Sequence, residues 1–253
     1  MILPRVVACL DVKDGRVVKG TAFRDLTDVG DPVELAVRYE EEGADEIVLL
    51  DVSASQEGRH ALLETVRRTA DVLFIPLTVG GGVKSVIEID LMLRAGADKV
   101  SINTAAVLTP EILTEGAIRF GSQCIVASVD AALEDGIWRC YTHGGHKPTG
   151  LEAVGWALEC EDRGAGEILL TSIDDDGARS GYALSLLKLV CDRATVPVIA
   201  SGGAGSSDHL RAAIFEGGAS AALLAGILHD GIVSIREIKA ELARAGVPVR
   251  EVR

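Results

Sequence analysis

The sequence lacks the features that would place it in a membrane or secreted class of protein. None of its apolar runs approaches the 20 or so residues that a membrane-spanning helix needs. The first five residues, Met1 to Arg5, show neither the basic region nor the long apolar stretch of a signal peptide. No proline-rich or serine-rich linker divides the chain. We therefore expect one cytoplasmic domain, residues 1–253, that does not bind membranes.

Cysteine and histidine are scarce, and neither shows a metal-binding spacing. The five cysteines (Cys9, Cys124, Cys140, Cys160 and Cys191) form no C-x-x-C pair, and the five histidines show no H-x-x-H or H-E-x-x-H pattern. We expect no disulfide framework, no metal and no other cofactor. The net charge of -13 argues against nucleic-acid binding, which favours a basic face. It does not exclude an anionic small ligand, because backbone dipoles can bind one locally.

The second half of the chain resembles the first. Asp11 and Asp130, each at the end of a short run of aliphatic and small residues, lie 119 residues apart. Three glycine-containing segments recur at offsets of 121 or 122 residues: 43–46 with 164–167, 80–82 with 202–204, and 96–98 with 218–220. The pattern predicts two equivalent halves, about 1–122 and 123–253.

Strand-like and helix-like patterns alternate along the chain about eight times. We predict strands near 5–11, 46–52, 73–79, 98–103, 123–130, 166–173, 196–201 and 219–225, and helices near 31–43, 58–70, 85–95, 109–119, 152–164, 183–193, 206–217 and 232–245. Asp31-Pro32 and Thr109-Pro110 are helix start signals. The alternation predicts a closed (β/α)8 TIM barrel made of two half-barrels. The competing fold, an open doubly wound sheet, does not suit two equivalent halves.

Glycine-rich loops follow the third and seventh predicted strands and indicate phosphate binding. In such a barrel the loops after the strands form the active face, and glycine lets backbone N–H groups approach an anion. Tight turns are the alternative explanation. Two such loops at duplicated positions suggest a ligand with a phosphate at each end. The candidate phosphate and substrate residues are Gly81, Gly82, Asn103, Thr104, Asp176, Gly177, Gly202, Gly203, Ala225 and Gly226.

Asp11 and Asp130 would lie between the two phosphates and suit general acid/base catalysis. Alternatively, one or both cap a loop or bind a lysine such as Lys19. Lys19 lies in a long polar stretch up to Gly30 that could fold over a ligand, or form an ordinary hairpin. A second insertion, residues 131–149, contains histidines that we expect to face solvent or substrate.

Four charged residues fall near the starts of predicted strands, at the opposite end of the barrel. They are Arg5, Glu46, Lys99 and Glu167, and their charges sum to zero. From the residues alone we favour simple solvation of the strand ends. If the side chains point inward, they would form a salt-bridged plug.

The residues resemble a known family along the whole chain. The matching segments are 8–20, 80–82, 97–105, 164–174 and 200–205. In them the chain is similar to the cyclase subunit of imidazole glycerol phosphate synthase, from histidine biosynthesis. The resemblance implies a (β/α)8 barrel that forms a heterodimer with a glutaminase subunit. Ammonia released at the bottom of the barrel would cross its interior to the top.

The resemblance also implies roles for individual residues. A bisphosphorylated formimino-aminoimidazole carboxamide ribonucleotide would react with ammonia, giving imidazole glycerol phosphate and aminoimidazole carboxamide ribotide. Asp11 matches the base, Asp130 the acid, and Lys19 a position on a mobile loop. The residues Arg5, Glu46, Lys99 and Glu167 match an ammonia gate, and Asp98 matches a position at the partner interface.

Two positions depart from the family pattern. Asp175 stands where a basic residue is frequent, and Gly226 stands where serine is frequent. The first could weaken the field at one phosphate site, and the second removes a hydroxyl donor.

Two other functions compete with the cyclase. The related isomerase of the same pathway shares the barrel, both phosphate sites and a pair of carboxylates, but it needs no ammonia. A non-catalytic barrel subunit is the other alternative, and the retained aspartates and glycine loops argue against it.

Overall fold

Eight parallel strands form a closed barrel in the computed structural model, which describes residues 3–21, 24–52 and 56–251. The strands in chain order are β1 (Arg5–Lys13), β2 (Arg16–Thr21), β3 (Arg24–Gly30), β4 (Glu46–Asp51), β5 (Leu77–Gly80), β6 (Lys99–Ile102), β7 (Ile125–Glu134), β8 (Ile137–Thr142), β9 (Lys147–Glu152), β10 (Glu167–Ser172), β11 (Val198–Ser201) and β12 (Ala221–Leu224). The barrel strands are β1, β4, β5, β6, β7, β10, β11 and β12, each paired with the next, and β12 pairs with β1. The predicted (β/α)8 barrel is therefore confirmed.

Helices connect the barrel strands. They are α1 (Pro32–Glu42), α2 (Gln56–Ala70), α3 (Val86–Arg94), α4 (Thr104–Leu108), α5 (Glu111–Phe120), α6 (Ala153–Asp162), α7 (Leu184–Cys191), α8 (Ser207–Phe215), α9 (Gly226–His229) and α10 (Ile235–Arg244). Within the described residues, none of them is long and apolar enough to cross a membrane. The boundary of the two predicted halves falls just before β7, and their duplication stays a prediction.

Both predicted start signals precede a helix, so they are confirmed, but only Asp31 caps its helix with the side chain. Asp31 Oδ1 accepts hydrogen bonds from the backbone N–H groups of Val33 and Glu34 in the first turn of α1. Thr109 instead ends α4, because its N–H donates to the carbonyl of Ala105 at 2.8 Å. Pro110 then stands at the start of α5 with no side-chain cap.

The third barrel strand is shorter than predicted. It begins at Leu77, whereas the apolar pattern placed its start near residue 73. Phe74 is 95% exposed, so this part of the apolar run does not belong to the core. The apolar run covers an exposed loop followed by a buried strand. A hydrophobicity pattern alone cannot show where the loop ends and the strand begins.

Both polar insertions form antiparallel extensions of a barrel strand. β2 pairs with β1 and β3 pairs with β2, while β8 and β9 extend β7 in the same manner. Of the two alternatives for the Lys19 segment, the structure therefore has the hairpin, with Val17 and Val18 buried.

The core has two parts because side chains along a strand alternate between faces. On β1, Val6, Ala8 and Leu10 pack against the helices, while Val7 and Cys9 point into the barrel. The inner cluster consists of Val7, Cys9, Val48, Val126, Leu169, Ile199, Ala221 and Leu223. It fills the barrel with apolar side chains between the two ends.

A buried ion pair ties the last helix to the bottom of the barrel. Lys239 Nζ lies 2.8 Å from Asp45 Oδ1, and the two side chains are 3% and 4% exposed. Asp45 also accepts the N–H of Val6, and Lys239 donates to the carbonyl of Arg250. The pair thus links β1, α10 and the C-terminal segment.

We predict that Lys239→Met destabilises the protein strongly. It leaves the Asp45 carboxylate buried without its cation, which should lower the free energy of unfolding by about 3–5 kcal/mol. Urea denaturation measures the change. Arg244→Met on the same helix is the control, since the Arg244 side chain is 75% exposed and its loss should cost less than about 0.5 kcal/mol. Equal effects of the two substitutions would contradict the role of the pair.

Candidate active site

Asp11 and Asp130 occupy matching positions at the top of the barrel. Asp11 is paired in parallel with Leu50 of β4 and in antiparallel with Val18 of β2. Asp130 is paired in parallel with Thr171 of β10 and in antiparallel with Tyr141 of β8. Each carboxylate therefore lies where a barrel strand leaves the barrel and enters a hairpin.

Both carboxyl groups titrate near neutral pH. Burial, and then the charge of Asp176, raises the pKa of Asp11 to about 7, against a weak hydrogen bond from the Cys9 thiol at 3.8 Å. Burial raises the pKa of Asp130 to about 6, although hydrogen bonds from Asn103 Nδ2 at 2.8 Å and Ser128 Oγ at 3.4 Å stabilise its charged form. Groups with such pKa values can both take and give a proton at pH 7.

Asp176 is a third carboxylate in the same mouth. Its charge acts on both Asp11 and Asp130, and its own pKa is raised by burial, with a backbone hydrogen bond from Gly177 opposing the change. A carboxylate has no proton to donate to a phosphate when it is ionised. We therefore assign the Asp176 side chain to the aspartate cluster, and any phosphate contact of this residue to its backbone.

Three supporting residues complete this cluster. Asn103, predicted as a phosphate contact, donates to Asp130 and also to the Tyr141 carbonyl. Cys9 and Ser128, which the sequence analysis missed as site residues, each stand two positions before a catalytic candidate. The alternation of side chains along a strand was the signal that could have found them.

The first glycine loop, residues 80–85, is shaped by close backbone contact. We call it the first cradle, together with Asn103 and Thr104. Gly81 has a φ of 91°, and a Cβ there would overlap the Asp51 carbonyl. Thr104 Oγ1 accepts the N–H of His143 at 3.0 Å, which ties the β8–β9 hairpin to this cradle.

The second glycine loop, residues 201–206, repeats this geometry. We call it the second cradle, together with Asp176, Gly177, Ala225 and Gly226. Gly202 has a φ of 85°, and a Cβ there would overlap the Ser172 carbonyl. A Cβ on Gly81 would overlap the Asp51 carbonyl in the same way. Ser206 caps α8 as Ser85 caps α3. The glycines are thus required for close packing, and phosphate binding stays a prediction for both cradles.

Lys19 lies at the edge of the same mouth but does not contact either candidate catalytic aspartate. Its Nζ pairs with Asp230, which follows α9, and its side chain is 37% exposed. The alternative that Asp11 or Asp130 serves only to hold Lys19 is therefore wrong. Arg179 pairs with the other oxygen of Asp230, and the sequence analysis did not include either residue.

At the bottom of the barrel, four charged residues form a closed ring of ion pairs. Arg5 contacts Glu46 at 2.6 Å and also pairs with Glu167, while Lys99 contacts Glu46 at 2.8 Å and Glu167 at 2.6 Å. The two glutamates are 0% and 6% exposed in their side chains. Simple solvation of the strand ends, which we favoured from the residues, is wrong. Arg5 shares the inward face of β1 with Val7 and Cys9, so its side chain lies under the apolar interior.

The bottom face continues outward from this ring. A cavity of about 300 Å³ opens there, lined in part by the ring, Asp45 and Arg250. Asp98 is exposed on the same face, and its Oδ2 accepts the N–H of Leu77 at 2.8 Å. Its role at a partner interface stays a prediction.

The described residues offer no evident metal centre. No group of three or more histidine, cysteine, aspartate or glutamate residues among them could hold a metal ion. The five cysteines are free thiols.

Comparisons with known proteins point to a single family. The family model described as "Histidine biosynthesis protein" matches residues 5–234. Three similar curated proteins are each named imidazole glycerol phosphate synthase subunit HisF. The Myxococcus xanthus protein is 63% identical over 250 residues, covering 99% of both chains. The Bacillus licheniformis protein is 58% identical over 99% of this chain and 100% of its own, and the Hyphomonas neptunium protein is 56% identical over 100% of both.

We predict that Asp11→Asn stabilises the protein at pH 8 but not at pH 4. Between pH 3.8 and about 7 the folded protein holds the Asp11 proton more tightly than the unfolded chain, so the free energy of unfolding falls as pH rises. Removing the ionisable group should raise the free energy of unfolding by about 1–3 kcal/mol at pH 8. Urea denaturation at both pH values measures this.

The control is Asp71→Asn, a change at an exposed carboxyl that should leave stability within about 0.5 kcal/mol at both pH values. If Asp11→Asn does not raise the free energy of unfolding at pH 8, the pKa of Asp11 is not raised in the folded protein.

Proposed function

Since this chain belongs to the HisF family of imidazole glycerol phosphate synthase subunits, we propose that Asp11 and Asp130 catalyse its cyclisation reaction at the top of the barrel. The chain is a cyclase subunit in histidine biosynthesis by that membership. The observation that carries the assignment of residues is the matched pair of partly buried carboxyls, whose pKa values are about 7 and about 6.

The proposed substrate is a bisphosphorylated formimino-aminoimidazole carboxamide ribonucleotide. Its two phosphates would occupy the two cradles, and the atoms between them would lie over the aspartates. Reaction with ammonia closes the imidazole ring and releases aminoimidazole carboxamide ribotide. The duplicated geometry at Gly81 and Gly202 supports this orientation, because it provides two similar loops for two similar groups.

Substrate binding would set the roles of Asp11 as base and Asp130 as acid. The charged form of Asp130 is stabilised by a hydrogen bond from Asn103, which also belongs to the first cradle. If Asn103 turns toward a bound phosphate, Asp130 loses this donor beside a new negative charge, and both effects raise its pKa. Substrate binding would thus prepare Asp130 to donate a proton.

Ammonia would reach this site through the barrel. The inner cluster between the ion-pair ring and the aspartates is apolar, so it favours neutral ammonia over the ammonium ion. The ring of Arg5, Glu46, Lys99 and Glu167 would be the gate, and a glutaminase subunit would bind the bottom face that includes Asp98. Glutamine hydrolysis would belong to that subunit. A cytoplasmic location is part of the same proposal.

The isomerase remains the less supported alternative. The three curated relatives carry the name of the synthase subunit and not that of the isomerase. Turnover of the bisphosphorylated substrate with ammonium salt at alkaline pH separates the two, since only the cyclase forms the imidazole product.

We predict that Asp11→Asn and Asp130→Asn each lower ammonia-dependent turnover by at least about 100-fold, because general acid/base groups contribute about that much or more. The assay uses ammonium salt and follows imidazole glycerol phosphate. Asp71→Asn is the matched control and should keep wild-type turnover. Wild-type turnover by Asp11→Asn would contradict the assignment.

We predict that Lys99→Met lowers turnover with glutamine and the glutaminase subunit about tenfold relative to turnover with ammonium salt. Without Lys99 the ring keeps two carboxylates and one cation, and its excess negative charge would hold ammonium at the entrance. A charged ion crosses an apolar interior poorly. The ratio of the two rates is the measurement. Lys188→Met, at an exposed position on α7, should leave the ratio unchanged. An unchanged ratio for Lys99→Met would contradict the gate.

A further inference from the structure

The second cradle has a cation that the sequence analysis did not include. Acidic residues dominate this region, since Asp175 and Asp176 lie in the loop after β10, and Asp175 accepts a hydrogen bond from Ser172 at 2.7 Å. Positive charge beside those carboxylates would strengthen the binding of a phosphate there. Arg179, on the same loop, can supply it.

The backbone of Arg179 is held against the cradle in an unusual conformation. Its φ of 58° lies in the left-handed region, which non-glycine residues rarely adopt. A Cβ on Gly205 would overlap the Arg179 carbonyl. Gly181 then donates its N–H to the Gly203 carbonyl at 2.8 Å. The loop that carries Arg179 is therefore fixed directly onto the second cradle.

The guanidinium group of Arg179 reaches across the cradle. Its Nη2 lies 3.7 Å from the position that a Cβ on Gly226 would occupy. The same nitrogen pairs with Asp230, whose backbone N–H donates to the Gly226 carbonyl at 3.0 Å. The absence of a side chain at Gly226 leaves space beside the guanidinium group.

Asp230 binds two cations at once. One carboxylate oxygen pairs with Arg179 and the other with Lys19. These pairs are accessible, with side-chain exposures of 42% for Arg179, 37% for Lys19 and 25% for Asp230. Exposed ion pairs of this kind are weak, so a dianionic ligand can compete for their cations.

We propose that Arg179 binds the phosphate at the second cradle, and that Asp230 is an internal anion that holds Arg179 and Lys19 until this phosphate displaces it. The inference rests on the proposed function, because it names the residue that binds one end of the bisphosphorylated substrate. Arginine suits the task because its planar group can donate two hydrogen bonds to one phosphate. Release of Asp230 would also free Lys19 on β2 to face the ligand.

Titration of the whole chain with inorganic phosphate tests this proposal without the reaction. Backbone amide signals of Gly202 and Gly203 report the second cradle in nitrogen-15 NMR, and those of Gly81 and Gly82 report the first. Arg179→Gln should raise the dissociation constant at the second cradle roughly 10- to 100-fold, because it removes a charge-assisted hydrogen bond. The first cradle should be unaffected.

Two further variants sharpen the result. Arg193→Gln removes an exposed arginine at the end of α7 and should leave both dissociation constants unchanged. Asp230→Asn removes the competing anion and should tighten phosphate binding at the second cradle by a few fold. If Asp230→Asn does not tighten binding there, the internal-anion part of the proposal is wrong.

The outcomes also separate this inference from the proposed function. If wild type binds phosphate at the second cradle and Arg179→Gln matches Arg193→Gln, the inference is overturned. No binding of phosphate to wild type at that cradle overturns it as well. If Arg179→Gln loses phosphate as expected while wild type fails to convert the bisphosphorylated substrate with ammonium salt, the inference stands and the proposed function fails.

Discussion

The alternation of side chains along the barrel strands is the constraint on which the rest of this structure depends. On β1 it sends Arg5, Val7, Cys9 and Asp11 to the same inner face, one above the other. The bottom residue therefore joins an ion-pair ring, the middle ones make an apolar interior, and the top one faces the mouth. A shift of one residue in strand register would reverse all these positions.

The charged groups at the two ends of the barrel are in different electrostatic environments. At the bottom, two buried glutamates are each compensated by Arg5 and Lys99, so the ring is neutral and closed. At the top, no cation among the described residues forms an ion pair with Asp11 or Asp130, and burial raises the pKa of both carboxyls. The folded protein is destabilised above neutral pH by this arrangement, a cost that is typical of functional sites.

The sequence was sufficient for the barrel, because alternation of strand and helix patterns survives errors of a few residues at each boundary. It also placed Asp11 and Asp130 at the top of the barrel, although both lie within strands that continue into a hairpin and not at strand ends. It did not predict the ion-pair ring. The direction in which the Arg5 or Lys99 side chain points depends on strand register, and local composition does not reveal that register. It could not predict the pairing of Arg179, Asp230 and Lys19, because their contacts join three segments that are distant in the chain.

Two partly buried carboxyls at the barrel mouth change protonation near neutral pH. Carbon-13 NMR titration of the aspartate side chains measures this most directly, with Asp11→Asn and Asp130→Asn used to assign the signals. We expect transitions at about pH 7 for Asp11 and about pH 6 for Asp130. Transitions of both groups close to pH 3.8, the ordinary value for aspartate, would contradict it.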